Sequence, residues 1–216
     1  MIHCIGDSHC CIFSGKACYP AWDAPDKEDI LPYFNTYRLG PCTAFQLHKK
    51  LDLIRFIIGK FVKPGDTVLM CFGEVDCRAH LIKQSQVQKR QLGYIVRQCA
   101  YMYMQTIRLL KQDRIPVAVW GPIASMAPDT NYEGGIWQGT CEERNQVTAQ
   151  FNQVLKEQCK ALHIPFGTIF DKMIDENNIT NKKYLTDAIH LSLEGLPLIM
   201  SECKRMGLLN EDAQLS

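Results

Sequence analysis

Ile2-His3-Cys4-Ile5-Gly6-Asp7-Ser8-His9 opens the chain, and its reading decides the fold. The apolar run from Met1 to Ile5 has the character of a buried strand. It stops at Gly6, and Ser8 follows two residues later. A strand that ends sharply on a glycine sets the next side chains at its carboxyl end. In an open α/β sheet that edge is where ligands bind. Ser8 therefore stands where a nucleophile is useful, although Asp7-Ser8 also suits the N-cap of a following helix.

The far end of the chain supplies a partner. Thr186-Asp187-Ala188-Ile189-His190-Leu191-Ser192 places an Asp three residues before a His. A carboxylate about one turn away can accept from the imidazole Nδ1–H, fix the tautomer and leave Nε2 as a base. A serine alkoxide is inaccessible near neutral pH, so a nucleophilic Ser needs such a base.

Composition narrows the class. The 216 residues are 46% hydrophobic, which suits one compact domain, residues 1–216, with a full core. The formal net charge is +1 and the charges are mixed along the chain. No basic tract or acidic tail points to nucleic acid or an anionic membrane surface. No apolar run approaches the roughly 18 residues of a spanning helix. The N-terminus lacks a basic stretch, and Asp7 breaks the apolar run a secretory leader needs. The eleven cysteines are odd in number, and no Cys-x-x-Cys occurs. Reduced, packed thiols in a cytoplasmic protein are expected, not disulfides or zinc.

Between the two ends, strands and helices alternate. A helix is expected to start near Ser8 and run into a turn-rich segment, Pro20 to Asp26. Asn35 to Leu39 reads as a short strand ending at Gly40-Pro41. A helix from Thr43 follows, with Leu47, Leu51, Ile54 and Ile58 on one face. Thr67 to Phe72 is continuous and apolar, like a parallel strand buried on both faces. It leads into Gly73-Glu74-Val75-Asp76-Cys77-Arg78-Ala79-His80. A long helix with Ile95, Cys99, Met102 and Ile107 inward comes next, then a strand from Ile115 to Trp120. A loop of about 17 residues precedes a helix from Glu142 to Leu162, and loops of that length are often functional. Val147, Phe151, Leu155 and Cys159 should point inward from that helix. His163 to Phe166 reads as the last strand and Gly195 to Met206 as the closing helix. The alternation predicts a single three-layer α/β/α domain with about five parallel strands and helices on both faces. Three strand ends then carry Gly and polar residues at one edge, with the Asp187/His190 loop nearby.

This pattern resembles the SGNH (GDSL-type) hydrolase family, and the resemblance spans nearly the whole chain. Gly6-Asp7-Ser8 matches the family's nucleophile turn, and Asp187-Ala188-Ile189-His190 its C-terminal Asp-x-x-His. Gly40 falls where the family has a backbone-donating Gly. The helix bearing Arg144-Asn145 and Phe151-Asn152 looks like the family's penultimate helix. The resemblance implies a flavodoxin-like fold. It implies a serine esterase with Ser8 as nucleophile, His190 as base and Asp187 as its orienting acid. Ser8 and Gly40 amides would hold the oxyanion, with Gly73 lining the site.

One motif departs. Where the family has Gly-x-Asn-Asp, this chain has Gly73-Glu74-Val75-Asp76, and Val75 cannot donate a hydrogen bond. A lost oxyanion donor costs about 2.7–4 kcal/mol where measured. Arg78 is the first substitute donor, with Arg38 and His80 behind it. Equally, Glu74, Asp76 and Arg78 would form a salt-bridged turn supporting the pocket.

Asp7-Ser8-His9 is also an Asp-x-His, as calcineurin-like metallophosphoesterases use for metal, but their later Gly-Asn-His signature is missing. No cofactor or metal is therefore expected, and His9 is read as a helix-start residue lining the cleft. His3 is read as packed, His48 as a helix-surface residue and His163 as a strand-edge residue. The expected partner is a small-molecule or carbohydrate ester, with a small acyl group such as acetyl. Trp22, Trp120, Tyr132 and Trp137 could stack on a sugar or simply anchor the core and loops. An acyltransferase, or a binding module that kept the fold, remain the other readings.

Overall fold

A computed structural model describes residues 1–15, 31–126, 137–187 and 189–215. Five strands form one parallel sheet: β1 Ile2–Gly6, β2 Phe34–Arg38, β3 Thr67–Cys71, β4 Val117–Trp120 and β5 Phe166–Gly167. Their order is β2-β1-β3-β4-β5. The helices are α1 Leu51–Phe61, α2 Leu81–Gln88, α3 Leu92–Gln112, α4 Cys141–Ala161, α5 Phe170–Met173 and α6 Leu196–Arg205. The expected three-layer α/β/α architecture is the one observed.

Strand alternation builds two cores. Ile5, Val68, Met70, Val117 and Val119 face α1, α3 and α4. Cys4, Leu69, Cys71, Ala118 and Trp120 face the opposite way, toward a 3-10 segment, Ser8–Ser14, and α6. Each central strand is therefore buried on both faces, which is why these segments are continuously apolar. Trp120 belongs to this second core, edge-on to Phe13 at 5.2 Å.

The chain leaves β1 for β2 on one side and returns to β3 on the other. β1 is therefore the switch strand, and a crevice opens at its carboxyl end. Gly6 is required there. A Cβ on it would lie 2.5 Å from the Cys71 carbonyl oxygen of β3.

Local chemistry sets the helix ends. Thr140 and Glu143 form a reciprocal capping box at the start of α4. Val147, Phe151, Leu155 and Cys159 of that helix are buried, as their spacing predicts. In α3, Ile95, Cys99 and Ile107 are buried as expected, together with Tyr103 and Met104, while Met102 is only half-buried. The last strand is two residues, Phe166–Gly167, not His163–Phe166. His163 instead takes a left-handed turn conformation, with φ 52°, and is exposed. The ten described cysteines are buried. His3 is buried between Tyr37 and Asp66, and His48 is exposed. Trp22, Tyr132 and the turn-rich Pro20 to Asp26 lie outside the described residues. Among the described residues no helix is long and apolar enough to cross a membrane.

Candidate active site

Three connections meet at the carboxyl edge of the sheet. β1 continues into the 3-10 segment through Asp7, whose carboxylate accepts from the His9 amide at 2.9 Å. This cap starts the segment and presents Ser8 at the crevice. The turn ends at Gly15, whose amide donates to the Ile12 carbonyl.

Opposite Ser8 stands a short loop closed by an antiparallel bridge between Leu185 and Leu191, both buried. The Thr186 amide donates to the His190 carbonyl at 2.9 Å, which holds the loop tight. Asp187 Oδ1 accepts from the Ile189 and His190 amides at 2.6 and 2.7 Å. Its Oδ2 accepts from His190 Nδ1 at 2.7 Å. That bond fixes the tautomer, so Nε2 is the acceptor for the Ser8 hydroxyl, 2.8 Å away. Burial pushes the Asp187 carboxyl up, and its hydrogen bonds from His190 and the two amides outweigh this, so it stays below its ordinary value. Burial, then the neighbouring His9, push His190 below its ordinary value against the pull of Asp187.

The β3 connection carries Gly73 to His80. Gly73 has φ +117°, and a Cβ on it would lie 2.7 Å from the Phe151 ring of α4. Asp76 to His80 form a single π-helical turn before α2, and such turns recur at functional sites. Asp76 accepts from the Ala44 and Phe45 amides at 2.6 and 3.2 Å and from the Cys99 thiol at 3.3 Å. It thereby ties down the segment that follows Gly40. Gly40 itself has φ +74° with open space around it, so backbone conformation, not crowding, selects glycine there.

Glu74 and Arg78 pair, Nε to Oε1 at 2.6 Å, but Asp76 is not part of that pair. The Arg78 Nε is thus given to Glu74. Val75 is half-buried and offers no donor. The other oxygen of Glu74 accepts from His9 Nε2 at 2.9 Å. The His9 and His190 rings lie 5.1 Å apart, centre to centre. The His9–Glu74 pair went unread in the sequence. The pairing follows from the sheet register of the structure, which aligns Gly6 with Cys71, each partner lying three residues further along its own strand end.

Polar residues of α4 pin the surrounding loops. Arg144 donates to Ser125 Oγ and to the Gly139 and Met126 carbonyls at 2.8, 2.6 and 3.2 Å. Asn145 accepts from the Ser125 amide and donates to the Asn178 carbonyl. Asn152 donates to the Pro122 carbonyl. These residues hold the β4 exit. Among the described residues, no group of three His, Cys, Asp or Glu side chains could hold a metal.

A cavity of about 420 Å³ opens beside the Gly40 connection. Pro41, Phe45, Lys49, Lys50, His80 and four glutamines, 46, 84, 88 and 98, are among its lining. His80 thus faces this cavity.

No known family's sequence profile matches the chain. No curated protein matches it either. Solved structures do. A provisionally named acylhydrolase from Bacteroides fragilis is 15% identical, over 94% of this chain and 84% of its own, with a TM-score of 0.64. A GDSL-like lipase from Bacteroides thetaiotaomicron is 15% identical, over 94% of this chain and 85% of its own, with a TM-score of 0.61. An acetyl-xylooligosaccharide esterase variant from Geobacillus is 13% identical, over 99% of this chain and 95% of its own, with a TM-score of 0.57. At these identities the likeness is one of fold, and the chain has the three-layer fold of solved GDSL-type hydrolases.

Proposed function

We propose that the chain is a serine ester hydrolase of SGNH (GDSL) type that removes a small acyl group, such as acetyl, from a sugar or similar soluble alcohol. The observation that carries this reading is the unbroken chain Ser8–His190–Asp187, at 2.8 and 2.7 Å. Nucleophile, base and orienting acid stand in the order acyl transfer needs.

In this reading Ser8 Oγ attacks the ester carbonyl carbon while its proton passes to His190 Nε2. Asp187 stabilises the imidazolium. The Ser8 and Gly40 amides hold the oxyanion. The ester C–O bond then breaks, and His190 returns the proton to the leaving alcohol. Water attacks the acyl-serine, His190 takes its proton, and the carboxylic acid departs as Ser8 regains its hydrogen. An acceptor hydroxyl in place of water would make the same site a transferase.

The cavity that begins at Pro41 has a lining suited to a sugar alcohol, although Ser8, Asp187 and His190 are not among its lining residues. Four glutamine amides suit hydroxyl groups, and Phe45, 39% exposed, gives a ring a face to stack on. The Geobacillus structure, named for acetylated xylo-oligosaccharides, points the same way. Release of acetate from acetylated oligosaccharides, compared with release of long-chain acids from lipid esters, tests this. Preferred acetate release is expected, and preferred long-chain release would overturn the acyl assignment.

Val75 favours a second reading, a binding module with weak or no turnover. It predicts affinity for an acylated glycan that survives long incubation uncleaved.

A further inference from the structure

Beside Ser8 the fold buries a second charged array that the proposed reaction does not use. Arg78 pairs with Glu74, and Glu74 with His9. The side chains of Arg78, Glu74 and His9 are only 11%, 4% and 9% exposed. Buried ion pairs are poor stabilisers, and well-packed apolar residues commonly replace them without loss. Placing three such groups against a nucleophile therefore calls for another reason. The outermost member supplies it: the His9 ring lies 5.1 Å from that of His190, tilted by 31°.

We propose that His9 is a positioning residue for His190: the Arg78–Glu74 pair holds it as an imidazolium against the His190 ring, and its fixed charge keeps His190 in the neutral form that accepts the Ser8 proton. The inference rests on reading Ser8 and His190 as nucleophile and base.

The charges around both rings agree with this. His190 is faced by Asp187 from its own loop, by His9 from the 3-10 segment and by Glu74 from the β3 exit. His9 is faced by Glu74, by Asp7 from the end of β1 and by Arg78. Burial opposes charge on His9, but Glu74 and Asp7 outweigh it, and the group stays protonated above its ordinary range. Glu74 is ionised throughout, held at about 2 because His9 and Arg78 overcome its burial. The two histidines are thus driven apart, one cationic and one neutral, over the same pH range. Glu74 also accounts for its own presence after Gly73: it anchors His9.

The test is the pH dependence of Ser8 modification by a fluorophosphonate in the full chain. It is read for wild type, His9→Gln and Glu74→Gln, alongside an NMR titration of the imidazoles. The wild-type rate should fall only below the ordinary histidine value of 6.5. His9→Gln should raise that limb by at least half a pH unit, so the rate well below it drops roughly threefold relative to wild type. Glu74→Gln removes an attracting anion as well as the charge on His9, so its limb should rise less. Asp7→Asn controls for titration of Asp7, whose buried carboxyl sits at about 6. A His9→Gln limb superimposed on wild type would overturn the proposal. So would wild-type NMR showing His9 losing its proton at lower pH than His190, a measurement that needs no variant to fold. Absence of any Ser8 adduct would instead count against the nucleophile reading, and the NMR order of the two histidines would still decide this one.

Discussion

Ser8 Oγ and His190 Nε2 lie 2.8 Å apart although 182 residues separate them in the chain. Topology brings them together. Ser8 leaves the switch strand of the sheet, and the His190 loop is clamped over that strand's end by the Leu185–Leu191 bridge. Ser8→Ala removes the attacking oxygen and little else. It should lower aryl acetate hydrolysis by about 10⁴-fold or more while thermal unfolding stays within a few degrees of wild type.

Asp187 holds both the ring and the backbone of His190. Asp187→Asn keeps the size and loses the charge, and offers the ring a mixed donor and acceptor. Turnover should fall by about 10²–10⁴-fold, mostly in kcat. A change confined to KM would place Asp187 in binding instead.

Val75 leaves the oxyanion with backbone donors alone in the proposed mechanism. Val75→Asn should raise kcat by about tenfold or more, since one such donor is worth 10²–10³ where it has been removed. Val75→Ala, which adds no donor, should not raise kcat. Equal rates for the two variants would show that the oxyanion is already served from elsewhere.

Asp7 is a buried acid whose carboxyl burial pushes up to about 6. An acid raised in the folded state binds its proton more tightly there than when unfolded. Stability on this account is highest below about 4, and is lost as pH rises through about 6. Asp7→Asn keeps an oxygen for the His9 amide and removes the ionisation. It should stabilise the fold at pH 7 relative to wild type, by on the order of 1–3 kcal/mol, and less at pH 4. Denaturant unfolding at the two pH values measures the difference.

Asp76 fixes the segment after Gly40 through the Ala44 and Phe45 amides. Asp76→Ala strands those donors, which should cost about 1–3 kcal/mol. It should also lower kcat, because the Gly40 amide loses its anchored neighbour. Loss of stability with kcat intact would separate Gly40 from the oxyanion site.

Much of this was legible in the residues. β1 and β3 are apolar on both faces, and the Gly6 and Gly73 breaks mark the sheet edge. Their order with Asp187 and His190 was enough to expect Ser8 and His190 at the same edge of the sheet, where the structure has them in contact. Other features depend on packing that no local pattern encodes. β5 is two residues long, and the φ of 52° at His163 ends the preceding turn where a strand was expected. The π-helical turn at Asp76–His80 has no mark in the sequence, although the Glu74–Arg78 pair beside it was expected. The His9–Glu74 contact spans 65 residues and depends on strand register, which sequence periodicity does not give.

A fluorophosphonate adduct located by mass spectrometry tests the central claim most directly. The account predicts one adduct, on Ser8, formed by the wild-type chain and lost in His190→Ala. No adduct on Ser8, or an adduct that survives loss of His190, would contradict it.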